Sequence, residues 1–175
     1  MRSTALRLLG ERWPEDPDTH QAVQDAATDT GAAINVRHTA LHVLWGWPED
    51  PDTHQTVMTA ATDTNTDSVV RSTALRLLGE RWPEDPDTHQ AVQDAATDTD
   101  AAINVRHTAL HVLGRWPKDP NAYRTVQAAA TDTDPDIRTT ALRLLGEWWP
   151  GDPDTRRTIL AAATDTDANT NVRRT

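Results

Sequence analysis

The sequence predicts an all-α protein, an α-α superhelix built from five helix pairs. Three observations predict this fold class. The dipeptide Trp-Pro recurs every 33–35 residues, at 13–14, 47–48, 82–83, 116–117 and 149–150. Each interval contains apolar residues at helical spacing between start and stop signals. The apolar stripe of one repeat is too small to fold alone, so neighbouring repeats must stack.

The clearest helix signals lie in residues 131–153. Asp134 occupies the N-cap position, and Pro135 follows at the first helical position. The helix should end before Trp149-Pro150, because the residue before a proline disfavours the helical conformation. Four apolar residues share one face of this helix: Ile137, Ala141, Leu144 and Leu145.

Each repeat is predicted to form a first helix, helix A, and a second helix, helix B. The A helices are expected at 2–12, 36–46, 70–81, 105–115 and 137–148. The B helices are expected at 17–28, 51–62, 86–97, 120–131 and 153–164, each preceded by a capping Asp-Pro pair. Either Asp100 or Asn104 could cap the fourth A helix, so its start has two alternatives. The core stripe of helix B is predicted as Thr19, Val23, Ala26 and Ala27, with Val57, Val92, Val126 and Ile159 in the place of Val23.

The repeats form one array, with approximate bounds 1–34, 35–69, 70–103, 104–135 and 136–171, followed by the start of another helix A. Residues 2–44 and 71–113 are identical except that Gly31 is replaced by Asp100. This identity indicates recent duplication or deliberate construction. Neither end carries a polar capping repeat, so we expect an excerpt of a longer protein or end-to-end self-association.

Composition excludes several classes of function. The chain has no Cys, hence no disulfide or thiolate site, which fits a reducing compartment such as the cytoplasm. No apolar run reaches the length of a membrane span. The 17 Lys and Arg against 27 Asp and Glu give a net charge of -10, which argues against nucleic-acid binding. No phosphate loop or nucleophile motif is present, so neither catalysis nor a cofactor is expected.

Two patterns invite a metal interpretation. His38 and His42 have the i, i+4 spacing that lets two imidazoles share a metal, and His107 and His111 repeat it. No neighbouring residue completes the ligand set, so we interpret both as surface pairs, with zinc as the alternative. The Asp132-x-Asp134-x-Asp136 run lacks the Gly and Glu of a calcium loop, and helix capping explains it better.

The run Asp134-Pro135-Asp136-Ile137-Arg138, followed by Ala141-Leu142 and Leu145-Gly146, resembles the HEAT-like repeat of the phycobilisome-lyase type. The resemblance implies a solenoid whose B helices line the concave face, and a non-catalytic scaffold that binds a protein or peptide. It is also compatible with the sensor array of a larger bacterial signalling protein. The alternatives are a bilin-lyase-like or DNA-repair-like protein and a ligand-free structural or designed array.

Recurrent Asp and Arg residues flank the junction between helix B and the next helix A. A planar guanidinium can bind a carboxylate in bidentate fashion and also donate to loop carbonyls. The resemblance implies that these residues form a structural ladder along the array. Its members are Asp29, Arg37, Asp63, Arg71, Asp98, Arg106, Asp132 and Arg138.

The outward face of the B helices is the predicted partner-binding surface. With Val23 set in the core, the helical wheel turns positions 21, 25 and 28 of the first B helix outward, with positions 20 and 24 flanking them. These residues change along the array while the frame hardly varies, as a recognition surface would. The set is Gln21, Asp25, Gln55, Thr59, Gln90, Asp94, Tyr123, Arg124, Arg156 and Arg157. Five of the seven Trp should seal the helix-pair ends, with Trp45 and Trp148 more exposed.

Overall fold

A computed structural model describes residues 1–47 and 50–164. Within those ranges the chain is all-helical and contains no strand, so the predicted fold class, an α-α solenoid of five helix pairs, is confirmed. The helices are α1 (Arg2–Arg12), α2 (Pro17–Thr28), α3 (Ile34–Leu44), α4 (Pro51–Thr62), α5 (Ser68–Arg81), α6 (Pro86–Thr97), α7 (Ile103–Gly114), α8 (Pro120–Ala129), α9 (Pro135–Trp148) and α10 (Pro153–Thr164).

The B helices start where the sequence predicts because an Asp-Pro pair defines each start. The carboxylate of Asp16 accepts a hydrogen bond from the backbone N–H of Thr19 at 3.0 Å, and Pro17 follows in the first turn. The same arrangement recurs at α4, α6, α8 and α10. Only α8 ends early, at Ala129 instead of residue 131. After Ala129 the chain closes with hydrogen bonds that span three residues and not four, as in a 3₁₀-helix: Ala130 N donates to Gln127 O, and Thr131 N donates to Ala128 O.

The A helices begin about two residues earlier than predicted, except α1. Helix α5 starts at Ser68 because Asp67 caps it, accepting from Val69 N at 2.8 Å. Helices α3 and α7 occupy 34–44 and 103–114 instead of 36–46 and 105–115.

Neither Asp100 nor Asn104 caps α7. This helix starts after Ala102, whose carbonyl accepts hydrogen bonds from the backbone N–H groups of Val105 and Arg106.

Contacts divide the chain into two compact units, residues 1–112 and 113–175. In the first unit, α1, α3 and α5 lie side by side as one layer, and α2, α4 and α6 lie side by side as a second layer. Helix α3 packs on α2, and α5 packs on both α4 and α6. The core between the layers is made of Ala, Leu and Val side chains that are almost fully buried.

Two glycines allow close packing between helices: Gly10 of α1 lies against α3, and Gly79 of α5 lies against α7. A Cβ placed on Gly10 would overlap the Val43 side chain, and one on Gly79 would overlap Val112. A larger residue at either position would have to displace a valine side chain, so glycine favours this close approach, although it lowers intrinsic helix stability by about 1 kcal/mol.

In the second unit α9 packs against α8 and α10. The predicted core face of α9 is confirmed: Ile137, Ala141, Leu144 and Leu145 are all buried. The prediction for Ile159 is wrong, because its side chain is 36% exposed and only Thr155 of α10 is buried. Within the part of the chain that the structure describes, no helix follows α10 to cover that side chain.

An identical sequence occupies two different environments in the first unit. Residues 2–13 repeat as 71–82, yet Leu8 is 46% exposed while its equivalent Leu77 is 1% exposed. Helix α5 packs on α3, α4 and α6, whereas α1 packs on α2 and α3. Burial in this fold is thus decided by the neighbouring repeat and not by the local sequence.

Among the described residues, no helix combines the length and the apolar character that crossing a membrane requires.

Candidate partner-binding surface and repeat joints

In the first unit the B helices present a regular polar face. Gln21 and Asp25 on α2 are exposed, and so are Gln55 and Thr59 on α4 and Gln90 and Asp94 on α6. Two amides are tied along their helix: Gln21 Nε2 donates to Asp25 Oδ1 at 2.7 Å, and Gln90 Nε2 donates to Asp94 Oδ1 at 2.8 Å. The buried stripe beneath is the predicted one, with Thr, Val, Ala and Ala in α2 and in α4 and one further buried Ala in α6.

In the second unit the corresponding face carries cations. Arg124 of α8 and both Arg156 and Arg157 of α10 are exposed. Arg157 Nη1 lies 3.0 Å from Asp154 Oδ1, but its side chain is 78% exposed, so this ion pair is weak. The guanidinium groups therefore remain accessible to a partner.

Tyr123 differs from the other predicted surface residues because it is half-buried. Its hydroxyl donates to Asp152 Oδ1 at 2.7 Å, and its ring lies 5.5 Å from the Trp149 ring. Burial, followed by the hydrogen bond to Asp152, raises the pKa of Tyr123. The same hydrogen bond, followed by those from the Thr155 and Asp154 backbone, lowers the pKa of Asp152.

The contact of Tyr123 belongs to a recurrent joint between repeats that the sequence analysis missed. In the first unit His20 stacks on Trp47, with ring centroids 4.1 Å apart and an interplanar angle of 14°. Its Nδ1 lies 3.3 Å from Asp50 Oδ2, the cap of the next B helix, and its Nε2 lies 2.5 Å from Pro14 O. One ring thus links its own turn to the tryptophan and the cap of the next repeat.

The second joint in the same unit has the same components. His54 lies 4.8 Å from the Trp82 ring, 3.8 Å from Asp85 Oδ1 and 3.4 Å from Thr88 Oγ1. The signal in the sequence is the series His20, His54, His89 and Tyr123, which keeps the period of the Trp-Pro turns.

Three of the four arginines of the predicted ladder, Arg37, Arg71 and Arg106, are buried. Arg37, with 4% exposure, donates from Nε to Ala27 O and from Nη2 to Thr66 Oγ1, both at 3.0 Å. Thr66 in turn donates to Asp63 Oδ2 at 3.1 Å. The guanidinium therefore joins the end of α2 to the turn after α4, where the backbone N–H of Asn65 is the main group that lowers the pKa of Asp63.

The pairing within the ladder differs from the simple expectation. Asp29 Oδ2 accepts from Arg2 Nη1 at 3.2 Å and is not brought to Arg37. Arg71 Nε donates to Ala61 O at 3.3 Å, and Arg106 Nε donates to Ala96 O at 3.4 Å. The shared contact of the three buried arginines is thus a carbonyl near the end of helix B.

The remaining ladder residues hold turns. Asp98 Oδ1 accepts from Asp100 N at 3.0 Å, and Asp132 Oδ1 accepts from Asp134 N at 2.9 Å. Arg138, which is only half-buried, donates from Nη1 to the carbonyls of Asp132 and Thr133, at 2.6 and 2.9 Å.

The tryptophan side chains differ in solvent exposure according to their position in the chain. Trp47 and Trp116 are 9% exposed, while Trp13 is 57% exposed. Of the two additional tryptophans, Trp148 is 40% exposed. Trp45 is less accessible than expected, because the guanidinium carbons of Arg76 and Arg81 lie 5.3 and 4.9 Å from its ring centroid.

The histidine pairs lie in the middle of α3 and α7. His38 Nε2 and His42 Nε2 are 3.3 Å apart, and the rings of His107 and His111 have centroids 4.6 Å apart. Partial burial lowers the pKa of His42, and the charges of His38 and Arg76 lower it further. Within residues 1–47 and 50–164, no cluster of three or more His, Cys, Asp or Glu side chains could hold a metal ion.

The Asp-rich turn before α9 serves as a helix cap. Asp134 Oδ1 accepts from the backbone N–H groups of Asp136 and Ile137, at 2.9 and 3.1 Å. The Asp134 carboxylate, which a calcium ion would need as a ligand, is therefore already engaged in capping the helix.

Comparison with known protein families agrees with this geometry. Residues 98–175 match the family model described as HEAT repeats. No curated protein sequence matches the chain. The match is to HEAT repeats in general, so the phycobilisome-lyase type stays a prediction from the sequence.

Proposed function

This chain is a HEAT-like repeat protein, and we propose that it is a non-catalytic scaffold that binds a protein or peptide on the outward face of its B helices. The observation that carries this proposal is the contrast between the two sides of those helices. The side that is buried in α2, α4, α6 and α8 is nearly constant from repeat to repeat, while the exposed side changes from Gln and Asp to Arg. Stacking of neighbouring repeats requires the constant side, and the variable side is the one that can differ in what it recognises.

The charges of the exposed face give the chemistry of the partner. In the first unit Asp25 and Asp94 supply carboxylates among neutral amides. In the second unit Arg124, Arg156 and Arg157 supply guanidinium groups, which bind carboxylates in fixed bidentate geometry. We infer that each unit binds a segment whose charge is opposite to its own, so that the second unit binds an acidic segment.

As the setting of this activity, we propose a repeat array that serves as the sensor of a larger, cytoplasmic bacterial signalling protein. The catalytic domain would lie elsewhere in that protein. A ligand-free structural array remains the competing hypothesis, and the experiment below distinguishes the two.

The test uses a random peptide library displayed on phage, selected against the intact chain. Acidic peptides should be among those enriched on the protein, and these should lose affinity about tenfold or more when Arg124, Arg156 and Arg157 are changed to Glu, because like charges then face each other. The control variant changes three exposed cations outside this face, Arg7, Arg12 and Lys118, to Glu.

Both variants carry the same change in net charge, so a general electrostatic effect would weaken binding equally in the two. Equal binding by the variant of the B-helix face and by the parent would contradict the proposal, provided that circular dichroism shows both to be equally helical.

We also propose that copies of the chain associate end to end through the open face of α1. Leu8 is exposed there, whereas its equivalent Leu77 is buried by neighbouring helices of the first unit. The burial of the same sequence in α5 supports a face on α1 that accepts a packed helix. Sedimentation over a range of concentrations should give a rising weight-average mass for the parent chain and a constant monomer mass for Leu8→Glu. A constant mass for the parent would exclude the proposal.

A further inference from the structure

Two histidine pairs lie on exposed or half-exposed surface of α3 and α7, apart from the B-helix face. We propose that His38 with His42, and His107 with His111, each bind one zinc ion or a similar divalent metal ion of the first transition series. The inference rests on the geometry of the two pairs and does not depend on the proposed scaffold function.

The distance between the ligating atoms fits a metal ion. Two Zn–N bonds of about 2.0–2.1 Å at a tetrahedral angle place the nitrogens about 3.3–3.4 Å apart. His38 Nε2 and His42 Nε2 are 3.3 Å apart, with ring centroids at 4.5 Å and an interplanar angle of 68°. The pair therefore has the required spacing without a change in the helix.

The helix holds this geometry in place. Both residues lie in the interior of α3, one turn apart, and Ala40, Leu41 and Leu44 anchor the opposite face in the core. His38 is half-buried and His42 is exposed, so water can complete the coordination sphere. Preorganised ligands cost little ordering entropy on binding.

The electrostatic surroundings limit the affinity. Arg76 of α5 is the cation that acts on His42. Glu80 partly offsets its charge, since Arg76 Nη1 lies 3.8 Å from Glu80 Oε2. With two protein ligands and no further ligand among the described residues, the site should be weak and exchangeable.

The second pair repeats the first. The segment 103–113 has the same sequence as 34–44, and the rings of His107 and His111 adopt a similar edge arrangement, at 4.6 Å and 62°. The stoichiometry should accordingly be two ions per chain.

The experiment is a calorimetric titration of the intact chain with Zn²⁺ at neutral pH, using protein that carries no histidine tag. The parent should bind two ions, His42→Gln and His111→Gln one each, and the double variant none. His54→Gln is the matched control, since His54 lies outside both pairs, and it should still bind two ions.

A second measurement distinguishes direct ligation from an indirect effect. The ring proton signals of His38 and His42 in the nuclear magnetic resonance spectrum should shift on addition of Zn²⁺ in the parent, and those of His38 should not shift in His42→Gln. Absence of binding to the parent at millimolar Zn²⁺, or two ions still bound by the double variant, would overturn the proposal.

Discussion

Replacing Arg37 with Ala is expected to lower the free energy of unfolding by about 3 kcal/mol. The side chain is 4% exposed and makes charged hydrogen bonds to Ala27 O and Thr66 Oγ1, which join α2 to the turn after α4. Its loss leaves the Ala27 carbonyl without this buried donor. Urea unfolding, followed by the circular dichroism signal of the helices, measures this change in the free energy of unfolding.

Repeat 1 supplies the internal control for this prediction. Arg2 occupies the same place, but its bond to Asp29 joins side chains that are 55% and 40% exposed, so Arg2→Ala should cost about 1 kcal/mol or less. Arg37→Lys should recover only part of the loss, because an ammonium group cannot reach both acceptors in the planar geometry. If Arg2→Ala and Arg37→Ala lower the free energy of unfolding equally, a buried ladder arginine contributes no more to stability than an exposed one.

Trp47→Ala should destabilise the chain by about 3–5 kcal/mol, the usual range for a buried aromatic residue. The Trp47 side chain is 9% exposed and stacks on His20 of the preceding repeat. The substitution therefore leaves a cavity at a joint and removes the ring contact between two repeats. Thermal unfolding monitored by circular dichroism gives the effect as a lower melting temperature.

The control is Trp13→Ala. Trp13 has the same Trp-Pro context but is 57% exposed, so its replacement should change stability by about 1 kcal/mol or less. If the two tryptophan variants melt at the same temperature, the joint does not hold the repeats together.

The local features of the fold could be predicted from the sequence. An Asp followed by Pro at the start of each B helix determines the cap, so all five starts were predicted correctly. The starts of α3 and α7 were misplaced because alanines precede both helices and no side-chain bond caps α3, which leaves no signal in the residue type.

The features that depend on a neighbouring repeat could not be predicted. Ile159 has the residue type of a core position, but core burial needs a helix packed over it. Similarly, His20 and Tyr123 lie beside the exposed face on a helical wheel, and only the packed structure brings them to Trp47 and Trp149. The ten predicted partner-binding residues remain a proposal, since exposure is a requirement for binding and not evidence of it.

The duplicated block of residues 2–44 and 71–113 has a consequence for how the chain reaches its native state. The single difference, Gly31 against Asp100, lies in an exposed loop and makes no core contact. A helix of one block can therefore dock in the place of its twin with nearly the same surface. Off-register intermediates of this kind are a known hazard of repeat arrays. The native order is then selected by the connectivity of the polypeptide, through the shorter loop that must close, and not by discrimination between side chains.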